Sequence, residues 1–331
     1  MRKIFAFFSF ITVVLSCSAE ISADEGDALP GGLRPYRTEY MSLWNNKHEK
    51  DSFIFFTDPH LLSYNNIFTE SVKSYLISKF EPVKALYDNL PLSFCLCGGD
   101  WLNNADTQEV AKEKLLWADQ QMKGMFTNYH KMFGNHDTNY YGIVSEDNPA
   151  RGILPRAFVD TEYYSENSSA YYSFSVGNSE YYILDSDLDA KTDLYDYRIE
   201  QLHWLADQLS NNAKPHIVLG IHMFYSVEPA ILPMSEEIAS ICKAFNTRDK
   251  YVLSEREYNY SSAQGTIHLI LTGHRHTDFL EYVNGIPVVG TTKFLIDGVP
   301  TFEICVLDYD TGYANMIRVG EGNSRQVKMY M

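Results

Sequence analysis

The sequence predicts an α/β fold whose strands point their carboxyl ends at one crevice. Three observations predict it. Five short apolar runs each end in Asp, Asn or His, helical stretches separate the first three of these runs, and the last part of the chain alternates like antiparallel strands. A strand buried on both faces reads as a continuous apolar run, and parallel strands bring their carboxyl ends to one edge.

Residues 24 to about 50 are polar and punctuated by Leu29-Pro30-Gly31-Gly32 and Pro35, which suits a tether or an arm lying on the surface of a domain that spans 51–331. The first strand, Phe53-Ile54-Phe55-Phe56-Thr57, is closed by Asp58-Pro59-His60. Thr69 can cap a helix running to Leu90, with Val72, Leu76, Phe80, Val83 and Leu86 at helical spacing and Pro82 as a kink or break. Leu92 to Cys97 is the second strand and ends at Gly98-Gly99-Asp100. A helix over about Thr107 to Lys123 returns the chain to Tyr129–Phe133, which runs into Gly134-Asn135-His136-Asp137. Strand, helix, strand, helix, strand makes a parallel start with right-handed crossovers.

Residues 138 to about 168 lack periodicity, so a long loop sits beside that corner, either a substrate-selecting element or an irregular insertion. Ala170–Val176 and Glu180–Asp185 flank Gly177-Asn178 as a hairpin. Asp196–Leu209 reads as a helix, Ile217–Ile221 as a strand closed by His222, and Met223 to Gln264 as polar linker around a short helix, Ser235–Phe245. Ile267–Thr272 ends at Gly273-His274-Arg275-His276, and turns at Asn284-Gly285 and Asp310-Thr311-Gly312 divide an antiparallel tail.

Composition bounds the function. With 331 residues, 45% apolar and 21% charged, the chain is an ordinary globular protein. Its net charge of -16 repels nucleic acid at long range, so no nucleic-acid partner is expected. Residues 1–23 read as an export signal: Arg2 and Lys3, an apolar run from Ile4 to Leu15 too short to span a bilayer, then small residues. Val14-Leu15-Ser16-Cys17 also resembles a lipoprotein box, with Cys17 as a lipidated terminus and membrane attachment through it; the other reading is cleavage after Ala19 or Ala23. Both place the mature protein outside the cytoplasm, as a periplasmic, membrane-anchored or secreted form. Cys95, Cys97, Cys242 and Cys305 read as small core residues, not a disulfide framework.

Asp58-x-His60, Gly99-Asp100, Gly134-Asn135-His136-Asp137, His222 and Gly273-His274-x-His276 together resemble the calcineurin-like metallophosphoesterase superfamily, whose motifs occur in this order. The resemblance implies an α/β/β/α sandwich of two mixed sheets flanked by helices. It implies that Asp58, His60 and His276 hold one divalent metal, that Asn135, His222 and His274 hold another, and that Asp100 bridges them. Oxygen and imidazole ligands suit Mn, Zn or Fe. The activity implied is hydrolysis of a phosphodiester or phosphomonoester by a hydroxide bridging the two ions, and the acidic chain favours a small phosphorylated substrate.

His136 would protonate or stabilise the leaving oxygen, and Asp137 would either orient His136 or cap a helix. Where the protein-phosphatase branch carries a second Asp three positions after the bridging one, this chain has Asn103, and it lacks the Tyr of purple acid phosphatases. Asp58-Pro59-His60 resembles the cyclic-nucleotide phosphodiesterase-like branch. Asn103 and Arg275 are candidates to touch substrate phosphate. His48, His130, His203, His216 and His268 lie off the motifs and read as structural. The rival function is a metal-binding receptor or scaffold with the same cage and no turnover.

Overall fold

A computed structural model describes residues 29–62, 68–103, 107–139, 154–189, 194–196, 199–224 and 235–331. Helix α1 (Arg34–Trp44) precedes β1 (Lys50–Phe56). Helices α2 (Glu70–Ser78) and α3 (Glu81–Asn89) lead to β2 (Phe94–Cys97), and α4 (Gln108–Met125) leads to β3 (Tyr129–Lys131). A short α5 (Arg156–Phe158) comes before β4 (Tyr172–Val176), β5 (Ser179–Leu184), β6 (Asp187–Asp189), β7 (Leu194–Asp196), α6 (Ile199–Asn211) and β8 (His216–Ile221). Then follow α7 (Ser235–Thr247), the hairpin β9 (Lys250–Leu253) and β10 (Arg256–Asn259), β11 (Thr266–Thr272), β12 (Phe279–Val283) and β13 (Ile286–Gly290). Last come β14 (Leu295–Ile296), β15 (Val299–Pro300), β16 (Phe302–Asp308), β17 (Tyr313–Val319) and β18 (Arg325–Lys328).

Two six-stranded sheets carry the fold, ordered β18-β17-β16-β1-β2-β3 and β12-β13-β11-β8-β5-β4. Strands β1, β2 and β3 are parallel in the first, and β5, β8, β11 and β13 in the second. The mostly apolar runs are explained by burial of both strand faces. Phe53 stacks on Phe94 (4.5 Å) and meets Tyr181 of the other sheet edge-on (5.9 Å), whereas Phe56 turns outward against Phe80, the N-cap of α3 (5.4 Å). On the other sheet Tyr182 and Leu184 pack with Leu202, Leu205 and Leu209 of α6. Helix, sheet, sheet and helix therefore stack as four layers, the mixed α/β/β/α arrangement expected.

Capping residues set several boundaries. Thr69 and Thr107 are N-caps whose hydroxyls accept from Val72 N and Val110 N. Pro82 divides the expected helix in two, sitting in the first turn of α3, where its missing N–H costs nothing. Residues 29–50, expected as tether or surface arm, include α1, which is held by Tyr40. That fully buried ring places its hydroxyl 3.0 Å from Ser52 Oγ and donates to the Pro91 carbonyl (3.3 Å). The hairpin β9–β10 lies in a stretch expected as linker. Within the loop expected over 138–168, residues 156–163 form α5 and a π-helical turn that buries Phe158, Val159 and Tyr163. The leader 1–23 with Cys17, and residues 140–153 and 225–234 of the two unpatterned loops, lie outside the described residues. Among the described residues no helix is long and apolar enough to cross a membrane, and the four described cysteines are free and buried.

At the end of the sheets away from the carboxyl crevice, the β8–β11 register shifts between Ile267 and Leu269, and His268 sits in the irregularity at 3% exposure. Its Nδ1 lies 2.7 Å from the Tyr330 carbonyl and its Nε2 3.0 Å from His216 Nδ1. Burial, opposed by the Tyr330 carbonyl and aided by His216, pushes the imidazole down to about 4. Between pH 6.5 and 4 the unfolded chain therefore binds a proton here that the folded chain refuses, so this contribution is complete above pH 6.5 and is lost as pH falls. Denaturant midpoints measured across that window should fall, with a slope of up to about 1.4 kcal/mol per pH unit from this site. His268→Gln should flatten the curve by that amount.

Candidate metal centre

The chain beyond β1 continues to pair with the chain beyond β2. Asp58 N donates to the Gly99 carbonyl (3.1 Å), His60 N to the Asp100 carbonyl (3.0 Å) and Leu62 N to the Trp101 carbonyl (3.3 Å). The first two ligand motifs are thereby locked side by side. His222 follows β8 and His274 and His276 follow β11 on the facing sheet, and the turn after β3 supplies Asn135 and His136.

Seven expected ligands converge in two overlapping sets. Ligand atoms of Asp58, His60, Asp100 and His276 lie within 4.8 Å of one another, as do those of Asp100, His222 and His274, so Asp100 belongs to both. Asn135 Oδ1 completes the second set, 3.1 Å from His222 Nε2 and 2.8 Å from His274 Nδ1. In the first set His60 Nε2 is 2.9 Å from His276 Nε2, which is 3.2 Å from Asp58 Oδ1.

The donor chemistry fits divalent cations. His60 Nδ1 faces the Leu102 carbonyl (3.1 Å) and His222 Nδ1 faces the Gly98 carbonyl (2.6 Å). A carbonyl only accepts, so each Nδ1 carries a proton and each Nε2 is the nitrogen left to face a cation. Asp100 Oδ2 is buried without a hydrogen-bond partner, 3.2 Å from His222 Nε2 and 3.6 Å from His60 Nε2. Lone pairs and carboxylate charge meeting in a buried pocket demand positive charge between them. The same demand acts on His222, which burial alone lowers but which Asp100, Asp58 and the Gly98 carbonyl together raise to about 10. His274, dominated by burial and by the neighbouring His222, is pushed down to about 4.

Backbone conformation marks the same residues. Asp58, His60, Asp100, His274 and His276 all have positive φ, between 44° and 69°. Each such non-glycine residue costs about 1–2 kcal/mol, and their clustering at one crevice is a signature of a site held against local preference. Glycines permit the crowding. A Cβ on Gly134 would lie 2.1 Å from Asp100 Oδ1, and one on Gly273 would lie 2.1 Å from Thr57 Oγ1 and 2.8 Å from Asp58 Oδ2. Gly134→Ala should therefore lose about 1–3 kcal/mol of folding stability and displace the Asp100 carboxylate, read as a lowered denaturant midpoint together with weakened metal uptake.

The remaining expected residues are placed as follows. His136 is half-buried beside the ligands, its ring edge-on to His60 at 4.7 Å, its N–H donating to Asp100 Oδ1 (2.8 Å) and its Nδ1 3.0 Å from the Asn103 carbonyl. The support expected from a side chain thus comes from the main chain of Asn103. Asp137, expected to orient His136 or cap a helix, lies inside the short helical turn His136–Thr138, whose N-cap is Asn135. The Asp137 carboxylate accepts from Asp100 N (2.8 Å), Gly134 N (3.0 Å) and Leu102 N (3.0 Å), stapling the turn after β2 to the turn after β3. Burial and the Asp100 charge push it up to about 7, against the Leu102 and Gly134 N–H groups that favour its ionised form. Arg275 turns onto β12, its guanidinium 4.3 Å over the Phe279 ring and Nη1 2.5 Å from Glu281 Oε1. His130 stacks on Phe174 (3.4 Å) and takes no part. Sequence reading missed Thr57, whose hydroxyl donates to Asp58 Oδ2 (2.7 Å), and the carbonyls of Gly98 and Leu102. A hydroxyl directly before the first ligand was the only available signal.

Paired mixed sheets with a metal-ligand cluster at their carboxyl ends define the calcineurin-like metallophosphoesterase fold, and a solved structure shares it. A dimetal phosphatase from Danio rerio is 12% identical, with a TM-score of 0.56 over 85% of this chain and 99% of its own. GAP50, the anchor in the inner membrane complex of Plasmodium, is also 12% identical over 85% of this chain and 89% of its own, with a TM-score of 0.47. No protein-family model and no curated protein matches the sequence. At such identity the likeness to the phosphatase establishes the fold; function rests on the site.

Proposed function

We propose that this chain is an exported metal-dependent phosphohydrolase that cleaves a small phosphodiester or phosphomonoester at a dinuclear centre. The observation that carries the reading is Asp100, a fully buried carboxylate shared by two converging ligand sets, its Oδ2 3.2 Å from His222 Nε2 in one and 3.6 Å from His60 Nε2 in the other. Asp58, His60 and His276 would hold one ion and Asn135, His222 and His274 the other. Bound there, two divalent cations polarise phosphoryl oxygens and acidify water. Zn, Mn and Fe all suit these ligands.

The chain's own part is orientation and proton transfer. The Leu102 and Gly98 carbonyls fix the tautomers of His60 and His222, and Asp137 holds the Asp100 turn against β3. The imidazolium form of His136, its Nδ1–H committed to the Asn103 carbonyl, would present Nε2–H to the departing oxygen and keep a neutral ring after giving up that proton. The net charge of -16 supports a small substrate, drawn in by cations instead of side chains.

The test is hydrolysis of a chromogenic diester and a chromogenic monoester with Mn, Zn, Fe or Co, before and after chelation. Chelator-sensitive turnover is expected; two bound metals without turnover on either ester would establish the receptor or scaffold. Export rests on the composition of residues 1–23. Mass spectrometry of the mature protein distinguishes a diacylated Cys17 from an unmodified terminus at Glu20 or Asp24.

A further inference from the structure

A segment outside the ligand set grips two ligand turns by their main chains. Residues 291–294, directly after β13, cross the carboxyl end of both sheets. Thr292 Oγ1 donates to the His276 carbonyl (3.0 Å), and Phe294 N donates to the Thr57 carbonyl (2.8 Å), one residue before Asp58. Thr292 N in turn donates to Asp278 Oδ1 (3.0 Å), which also accepts from Arg318 Nη2. The same Nη2 donates to Glu303 Oε1 (2.8 Å). Glu303 and Arg318 are cross-strand partners in the β16–β17 register, and their side chains are 0% and 1% exposed. Arg325 adds Nε and Nη2 to the Glu303 carboxylate at 3.0 and 3.1 Å.

Two carboxylates and two guanidinium groups balance one another in a network of directional bonds that is buried at Glu303 and Arg318 and open to solvent at Asp278, whose side chain is 34% exposed. Its far end is His276, whose φ of 56° lies outside the preferred region. A residue in that conformation relaxes unless its surroundings over-determine it. The direct hydrogen bonds of the grip fall on the half that contains Asp58 and His276, and the other half meets it through His274 N, which donates to Asp58 Oδ2 (3.0 Å). His222, in the other half, is held by the Gly98 carbonyl instead.

We propose that Thr292 and Asp278 are positioning residues that set the separation of Asp58 and His276, and thereby the metal affinity of that half of the centre. The inference rests on the dinuclear reading above, and its test separates the two. Cobalt(II) is titrated into the full chain and followed by calorimetry and visible absorption. The wild type should take up two ions. Thr292→Val, equal in shape but without the hydroxyl, should weaken one binding event roughly tenfold or more and leave the other within about twofold. Thr292→Ser should restore the wild-type curve. Asp278→Asn, which keeps an acceptor for Thr292 N but loses the charge facing Arg318, should shift the same event. It carries the test if circular dichroism shows Thr292→Val unfolded. Equal weakening of both events, or no change in either, overturns the positioning role and leaves the dinuclear reading intact. A wild type that takes up no cobalt removes both.

Discussion

Asp100→Ala is expected to strip both metal positions at once and to abolish turnover. Asp100 is the only residue common to the two ligand sets, and it also accepts the His136 N–H at 2.8 Å, so its loss disconnects the ligands of both sheets. Charge stabilisation by a bound cation is worth several kcal/mol, and each 1.4 kcal/mol is tenfold in rate, so a loss of roughly 10³-fold or more follows. Metal content by elemental analysis and turnover at saturating metal are the two measurements. Retention of one full equivalent of metal would show that Asp100 serves one half only and does not bridge.

His136→Ala should separate binding from chemistry. The ring stands beside the ligands, is not part of either set, and is held through the Asn103 carbonyl. Metal content should stay at the wild-type value while kcat drops by about 10²–10⁴. The drop should deepen as the leaving alcohol becomes more basic, because a good leaving group such as nitrophenolate needs little protonation. A uniform loss across leaving groups would argue that the imidazole acts by placing the substrate, and loss of metal would make it a ligand.

The division between what was legible and what was not follows the physics. Strands β1, β2, β8 and β11 are largely buried on both faces, so they appear as mostly apolar runs, and a ligand follows each within three residues. What could not be read is main-chain chemistry. The carbonyls of Gly98, Leu102 and Asn103 leave no trace in residue type, and Asp137 looked like a partner for His136 because nothing in the sequence shows that three N–H groups already claim it. The β9–β10 hairpin was missed because its turn uses Ser254 and Glu255 at φ 46° and 70°, where glycine or asparagine usually signals such a bend. Helix α1 was hidden by Gly31, Gly32 and Pro35, yet Pro35 falls in its first turn, where proline is tolerated.

The pairing of β1 with β16 also dictates when the molecule can close during synthesis. Phe53 lies opposite Cys305, about 250 residues later in the chain, so the first strand emerges long before one of its two neighbours exists. At roughly 5–20 residues per second a ribosome leaves that phenylalanine-rich flank bare for about 10–50 s. The first sheet therefore cannot be completed around β1 until the hairpins that carry β16 and β17 have been made.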